Sequence, residues 1–396
     1  LVKIMWDFEI SIESTINDWK KTPWKKIDIE AMDQECKKFG RELRSLDVTM
    51  RTWEPFIFME ASLKNLMTSL RAITELQNPA IRDRHWIELI QTTQVKFNMD
   101  DSTTLKYLID LNLHEYEDEV KNIVEKSVKE MIMEKQLRDI AVAWAGMDFG
   151  VEVHERTGVK LLKASEEMIE TLEDHQAQLQ NMTSSKYITY FFQEVSSWQQ
   201  KLSNADQIIG SWFEVQRKWQ YLESIFIGSE DIRSQLPEDS KRFDFIDREF
   251  KALLGQMNSD RNVVRSTNKS GNKLNDHLEI LLKMLLLCEK ALNDYLETKR
   301  LSYPRFYFVS SADLLDILSN GNNPTMVSRH LNKLYDSIGK LNLIAGTRQA
   351  AGMIAKELEE YVAFIQNCDC SGKVEVWLNR VTDKMRETLR DQLKRS

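Results

Sequence analysis

Two closely spaced thiols near the end of the sequence are the first residues that could do chemistry. Cys368 and Cys370 stand two positions apart, and thiolates are frequent ligands of structural zinc. A zinc pair normally has two residues between its cysteines and further Cys or His ligands, whereas no histidine lies near this pair. We therefore predict no metal-binding residues here. Cys36 and Cys288 are isolated within helical patterns, so we expect both to be buried apolar side chains.

A Gly-Lys pair in the next residues suggests a phosphate-binding loop. Such a loop reads G-x-x-x-x-G-K-[ST], because its backbone amides hold the phosphates and its hydroxyl binds Mg²⁺. Around Gly372 and Lys373 the pattern fails, since Asn367 replaces the first glycine and Val374 the hydroxyl residue. The H-E-x-x-H and G-x-S-x-G motifs are also absent from the sequence. We predict no catalytic and no cofactor-binding residue in this chain.

Three consecutive aromatic residues, Phe306, Tyr307 and Phe308, follow Pro304 and Arg305 and could stack nucleic-acid bases. RNA-recognition sheets place glycines near their aromatics and have four strands, and the sequence predicts neither. The net charge of −8 over 396 residues also disfavours phosphate binding. We predict no nucleic-acid partner, and we expect all three rings to pack beneath the two helices that follow.

The elements that position these residues are predicted to be mainly α-helical. The chain is 42% hydrophobic and 29% charged, with only 13 Gly and 6 Pro to interrupt helices. Leu278, Leu281, Leu285 and Leu292 recur at helical spacing and predict one buried face. Charged residues interrupt this most apolar stretch, 278–296, so we predict no membrane span.

Capping residues define the predicted helices of the C-terminal part. Ser310 and Asp313 predict a helix over 311–320. Asn323 and Pro324 suit the cap and first position of another, whose apolar residues suggest that it extends to 338. A final helix is predicted from Val374 to about residue 393.

Two stretches break the helical pattern. Residues 147–163 alternate like strands around Gly158 and predict a β-hairpin, and 341–376 contain extended segments. The predicted fold is an elongated rod of helical bundles with this small hairpin. Its predicted domains are an N-terminal helical subdomain, the hairpin with a central bundle, and a C-terminal helical subdomain. Their respective boundaries are 1–145, 146–228 and 229–396.

The sequence suggests a mid-chain hinge at Gly228 and Ser229, followed by Pro237. Gly228 has the position of a residue that ends a helix, and Ser229 that of the next N-cap. Element-terminal residues such as these absorb the backbone rotation of hinges. The alternative is an ordinary turn that does not move.

Several long motifs resemble the linker region of dynein heavy chains. The stretch 221–237 carries one of these motifs, and the others occur in the expected order over essentially all 396 residues. The C-terminal stretch 368–381 is most similar to axonemal outer-arm dyneins. The other motif residues are Asn78, Pro79, Arg82, Arg84, His85, Trp86, Pro304, Phe306, Tyr307, Phe308 and Trp377. We expect Arg82, Arg84, His85 and Trp86 to be mainly structural.

This resemblance implies a non-catalytic mechanical lever. In dyneins the linker bends and straightens across a ring of AAA+ modules as ATP is hydrolysed, which drives movement along microtubules. ATP and Mg²⁺ are then expected in the ring downstream, with none bound in this segment. The implied partners are the ring of the same chain, other dynein heavy, intermediate and light chains, and microtubules indirectly. The implied location is the cytoplasm, the cytoskeleton and the axoneme of a cilium or flagellum.

A static helical scaffold or cytoskeletal adaptor is the alternative function. Spectrin-like scaffolds repeat their helices at a fixed period, and the sequence has no such period. The predicted hairpin at 147–163 also does not suit a simple helical array.

Overall fold

The computed structural model describes residues 2–94, 103–269, 271, 273–357 and 359–395, and most of them are helical. The α-helices are α1 Val2–Lys20, α2 Ile29–Ser45, α3 Glu54–Leu76, α4 Asp83–Thr93, α5 Leu105–Ile109, α6 Glu117–Gly146, α7 Glu166–Thr183, α8 Phe192–Phe226, α9 Glu230–Gln235, α10 Pro237–Ser259, α11 Val263–Asn268, α12 Lys273–Ser302, α13 Ser311–Ser319, α14 Pro324–Ser328, α15 Leu331–Leu334 and α16 Val374–Arg395. The strands are β1 Gly150–Val153, β2 Lys160–Lys163, β3 Ile338–Leu343, β4 Gln349–Ala355 and β5 Tyr361–Asp369. The predicted mainly α fold is confirmed.

The chain divides into two compact units. One comprises Leu1–Ala143 and Asp174–Gln199, and the other comprises Trp144–Glu173 and Gln200–Ser396. The division into three domains made from the sequence stays a prediction.

Helices α1, α2 and α3 bury their apolar faces together in the first unit. Phe39 and Leu43 of α2 pack with Phe56, Met59 and Leu63 of α3. The spacings of three and four residues place each group on one helix face. Asp28 caps the start of α2 by accepting a hydrogen bond from the backbone N–H of Ala31.

Helices α8, α10 and α12 supply much of the core of the second unit. The ring of Phe250 on α10 lies 5.5 Å from that of Trp212 and 5.4 Å from that of Trp219, both on α8. The leucine stripe predicted for α12 is fully buried. Such burial of large side chains is the main source of stability of these long helices.

The predicted β-hairpin is confirmed. Strands β1 and β2 pair antiparallel, with Gly150 opposite Lys163 and Val153 opposite Lys160. Gly158 has a φ of +68°, which a residue with a side chain rarely adopts. The buried amide of Gln216, on α8, both donates to the carbonyl of Leu162 and accepts from its N–H.

A three-stranded antiparallel sheet of order β3-β4-β5 precedes α16. The extended segments predicted within 341–376 are confirmed, and α16 begins at Val374 as expected. The single helix predicted over 324–338 is wrong beyond Leu334, because the chain forms α14 and α15 and then enters β3 at Ile338. Pairing of Ile338 with Ala355 of β4 is a long-range contact that overrides the local helical spacing.

Among the described residues, no helix is both long enough and apolar enough to cross a membrane.

Candidate hinge and motif sites

The predicted hinge lies in the short connection between α8 and α10. Ser229 caps α9, because its hydroxyl accepts a hydrogen bond from the N–H of Ile232. Pro237 is the first residue of α10, where its missing N–H costs no helical hydrogen bond. The polar run 238–242 forms the first turns of α10.

Gly228 is required here by a close approach of other atoms. It is not among the glycines with positive φ, so it does not adopt the left-handed conformation of many helix ends. A Cβ at this position would lie 2.2 Å from the carbonyl oxygen of Ser224 and 2.4 Å from Nη1 of Arg156. A side chain at residue 228 therefore forces the backbone or Arg156 to move.

Arg156, in the turn of the β-hairpin, binds the end of α8. Its guanidinium donates to both carboxylate oxygens of Glu223, at 3.0 and 2.8 Å, and to the Glu223 carbonyl at 2.9 Å. It also reaches the carbonyl of Ser224 at 3.4 Å. A cation at a helix C-terminus satisfies free carbonyls and interacts favourably with the helix dipole. The hairpin is thus attached to the last turns of α8, directly before the break.

Packed and charged contacts connect the two sides of this break. The buried rings of Phe226 and Phe243 stack, with centroids 5.4 Å apart. Arg233 of α9 forms a two-point ion pair with Asp244, at 2.9 and 2.7 Å, and also donates to the Phe226 carbonyl. The hydrogen bonds from Arg233 lower the pKa of Asp244. The end of α8 and the start of α10 are therefore held together, so bending at their junction would break several contacts.

A cleft of about 390 Å³ lies beside the break and is bounded by α13, which also contacts α9. Ser224, Ile225 and Gly228 line one side, and Ala312 and Leu315 line the other. One hydrogen bond crosses it, between the hydroxyls of Ser229 and Ser319 at 3.2 Å. This cleft is the place near the break where the structure leaves room for movement.

The first family motif forms the entry to α4. The side-chain oxygen of Asn78, which precedes Pro79, accepts from the N–H of Ala80 at 2.9 Å and closes a turn. The N–H of Arg82 donates to Nδ1 of His85 at 2.9 Å, which caps the helix. Since Nδ1 accepts this bond, the ring hydrogen of neutral His85 is on Nε2.

That ring hydrogen points at a fully buried carboxylate. Nε2 of His85 lies 3.1 Å from Oε2 of Glu130, and Nε of Arg84 donates to the same oxygen at 2.5 Å. The guanidinium of Arg84 also lies over the ring of Tyr190, 4.2 Å from its centre. Burial lowers the pKa of His85 and outweighs the attraction of Glu130, which raises it. This network ties α4 to α6, which agrees with a structural role for Arg84 and His85.

Sequence reasoning did not identify Glu130. The signal was present, because Glu130 follows Ile123 and Ser127 at spacings of seven and three residues, and all three are buried. A carboxylate in phase with the buried face of a helix requires partners, since an unpaired buried charge is costly.

Trp86 and Arg82 complete the motif around α4. Trp86 is half-buried and packs edge-to-face on Trp24, with ring centroids 5.7 Å apart. Arg82 donates to the carbonyl of Pro79 at 3.2 Å and lies 3.7 Å from a carboxylate oxygen of Glu134. Each contact joins neighbouring parts of the first unit.

The aromatic triplet differs from the prediction. Phe306 is fully buried as expected, but Tyr307 is 53% and Phe308 71% exposed. Pro304–Phe308 form a 3₁₀-helix, whose period of three residues turns Tyr303, Phe306 and Val309 inward together. The prediction that Tyr307 and Phe308 pack beneath the following helices is therefore wrong.

Trp377 lies in the first turn of α16. The residues around Gly372 and Lys373, which do not match the phosphate-binding pattern, directly precede this helix. Trp377 is fully buried and its indole N–H donates to the carbonyl of Gly321 at 3.1 Å. In the turn before α16, the carboxylate of Asp369 accepts from the N–H and hydroxyl of Ser371. A carboxylate thus occupies the donors that a phosphate would need.

Comparison with known proteins identifies the family. The family described as "Dynein heavy chain, N-terminal region 2" matches residues 1–396. The chain belongs to this family. The dynein segment is 58% identical over 397 residues to the ciliary dynein beta chain of Heliocidaris crassispina. It is also 58% identical over 398 residues to axonemal dynein heavy chain 17 of Mus musculus. Each match covers 99% of this chain. The segment is 41% identical over 402 residues to the flagellar outer-arm dynein beta chain of Chlamydomonas reinhardtii, and this match covers 100% of the present chain.

The dynein segment spans 9% of the length of these curated relatives. The resemblance to axonemal dynein heavy chains found in the sequence is confirmed by the family match and by these relatives.

Proposed function

We propose that this segment is the mechanical linker of an axonemal dynein heavy chain. It bends and straightens across a AAA+ ring and thereby converts ATP hydrolysis into microtubule sliding. The observation that carries this proposal is the family match over residues 1–396, together with relatives named as ciliary, axonemal and flagellar dyneins. The segment itself is not catalytic in this proposal.

Long, well-packed helices support a force-transmitting role. Helix α12 has 30 residues, which corresponds to about 45 Å at the α-helical rise. Its buried face and the aromatic contacts between α8 and α10 resist local bending. Such elements can move as rigid bodies, so that displacement concentrates at the connections between them.

We propose that the hinge lies at the break at Gly228 and Ser229, which is followed by Pro237. Since α8 and α10 are held together by stacked rings and an ion pair, we propose that movement occurs at the cleft facing α13. Among the described residues, one hydrogen bond crosses that cleft, between Ser229 and Ser319.

The proposed partners are the AAA+ ring of the same heavy chain, other dynein heavy, intermediate and light chains, and microtubules through the ring. The proposed location is the axoneme of a cilium or flagellum. ATP and Mg²⁺ would bind in the ring, so isothermal titration of ATP into residues 1–396 should detect no micromolar binding.

A distance measurement in the complete heavy chain tests the lever. Cysteines that replace the exposed residues Gln207 on α8 and Arg390 on α16 carry a fluorescent donor and acceptor. The four cysteines of the segment itself are buried, and exposed cysteines elsewhere in the heavy chain are replaced before labelling. Energy transfer between them should change between the ATP-bound and nucleotide-free motor. A control pair at Glu279 and Lys290, both on α12, should not change. Constant transfer at both pairs would instead favour the static scaffold.

A further inference from the structure

A cleft of about 900 Å³ lies on the surface of the hairpin formed by α2 and α3. The two helices are joined by residues 46–53 and pack against each other through Phe39, Leu43 and Leu63. Leu43 and Leu63 also contribute to the lining of the cleft, so the cleft borders this core without being filled by it. Its volume is in the range of sites that bind ligands or partner side chains.

Each helix contributes one row of side chains to the cleft. Lys37, Arg41 and Arg44 are spaced by four and three residues and lie on one face of α2. Ile57, Ala61 and Lys64 have the same spacing on α3. The cleft is therefore a groove between two parallel rows, which is the shape that accepts a third helix.

The floor of the groove is apolar, and the residues at its centre have small side chains or none. Ile57 is 56% exposed, although its row neighbours a well-formed core. Gly40 has no side chain, and a Cβ built on it would meet no atom within 4 Å. Small residues such as Gly40 and Ala61 let another helix approach closely.

The rim of the groove is cationic although the whole chain carries a net charge of −8. Lys37 pairs with Asp33 at 2.5 Å, and Arg44 lies 3.4 Å from Glu60. Among the described residues, Arg41 and Lys64 have no carboxylate within ion-pairing distance. Glu60 is the single acidic residue in the lining, so the lining has an excess of positive charge.

The cysteine in the lining of the groove is not a reactive site. Cys36 contributes the only thiol of the lining, but it is fully buried. Burial raises the pKa of this thiol to about 12, so it is protonated and unreactive at neutral pH.

We propose that this groove is a docking site for an acidic amphipathic helix of a partner protein. The apolar stripe of that helix lies on Ile57, Ala61 and Gly40. Carboxylates on its two flanks pair with Arg41 on one side and Lys64 on the other. The lining runs from Cys36 to Arg44 and from Ile57 to Met67, which is about 12–15 Å and fits two to three turns of helix.

Binding of a synthetic peptide to the whole 396-residue chain tests this proposal. The probe is a fluorescent helix of about 14 residues, with Leu and Ala on one face and Glu on both flanks. Its comparison peptide has Gln in place of every Glu. Anisotropy titrations should show tighter binding of the acidic peptide, and the difference should shrink as salt is raised.

Charge reversal within the groove provides the decisive variant. Arg41→Glu combined with Lys64→Glu should weaken binding of the acidic peptide by about tenfold or more. Both side chains are exposed, so the far-ultraviolet circular dichroism should be unchanged. Lys129→Glu, an exposed charge reversal on α6 outside the groove, should leave binding unchanged.

A second substitution tests the shape of the groove. Ala61→Trp should fill the groove and abolish binding without altering its charge. Equal binding of the acidic and Gln peptides, or full binding by the double charge variant, would overturn the proposal. Binding of phosphatidylserine vesicles in place of the peptide would also overturn it, because the ligand would then be a lipid surface.

Discussion

Arg156 and Glu223 are 67 residues apart in sequence, yet they form a two-point ion pair that attaches the β-hairpin to the end of α8. The carboxylate of Glu223 is 1% exposed, whereas the Arg156 side chain is 40% exposed. Glu223 therefore depends on Arg156 for most of its charge compensation. The same guanidinium is one of the two groups that leave no room for a side chain at Gly228.

Arg156→Gln should lower the free energy of unfolding by about 2 kcal/mol, because a buried carboxylate loses its cation. The loss should be smaller than for a fully buried pair, since water reaches Arg156. Urea denaturation followed by tryptophan fluorescence measures it. Arg248→Gln is the matched control, because Arg248 is 72% exposed and its contact with Glu249 is on the surface. Equal effects of the two variants would contradict the importance of the Arg156–Glu223 pair.

The aromatic triplet provides a comparison between neighbouring residues of the same type. Phe306→Ala should cost about 3–5 kcal/mol, because it removes a fully buried ring. Phe308→Ala should change stability by less than about 0.5 kcal/mol, since that ring is 71% exposed. Thermal midpoints of the two variants measure the difference. Similar midpoints would show that the inward turn of Phe306 does not stabilise this part of the fold.

Local signals in the sequence predicted several helices and the β-hairpin, but long-range contacts determined where these predictions were wrong. Caps such as Ser310 and Asn323 set helix starts correctly, because a cap acts within its own first turn. The predicted end of the helix over 324–338 is wrong, because Ile338 at the start of β3 pairs with Ala355 of β4, 17 positions away. The spacing of Glu130 marked it as buried, but its partners Arg84 and His85 could not be predicted for the same reason, since they lie on another helix.

Acid should destabilise the chain through His85. Burial holds the pKa of His85 below its usual value of 6.5, and protonation of Nδ1 would also break the bond from Arg82. The unfolded state therefore binds the proton more readily, and stability falls as pH drops below about 6.5. In His85→Asn this decrease should be smaller, because the residue no longer titrates. His175, whose pKa burial also lowers, remains in both proteins and contributes the residual decrease. Urea denaturation midpoints measured between about pH 5 and 7.5 test this prediction. If the midpoint falls with decreasing pH equally in both proteins, His85 is not the group responsible.

A reversible crosslink tests the proposed hinge better than a substitution at Gly228, where any side chain would displace the backbone or Arg156. The hydroxyls of Ser229 and Ser319 lie 3.2 Å apart across the cleft, so cysteines at both positions are placed to form a disulfide. In the complete motor, oxidation of Ser229→Cys/Ser319→Cys should slow microtubule gliding, and reduction should restore it. ATP turnover should fall less than gliding, because the lock acts on the lever. Each single variant, oxidised in the same way, should glide normally, since one introduced cysteine cannot close this bond and the four cysteines of the segment are buried. If the oxidised double variant is fully crosslinked and still glides at the normal speed, the cleft between Ser229 and α13 does not open during the cycle and the hinge lies elsewhere.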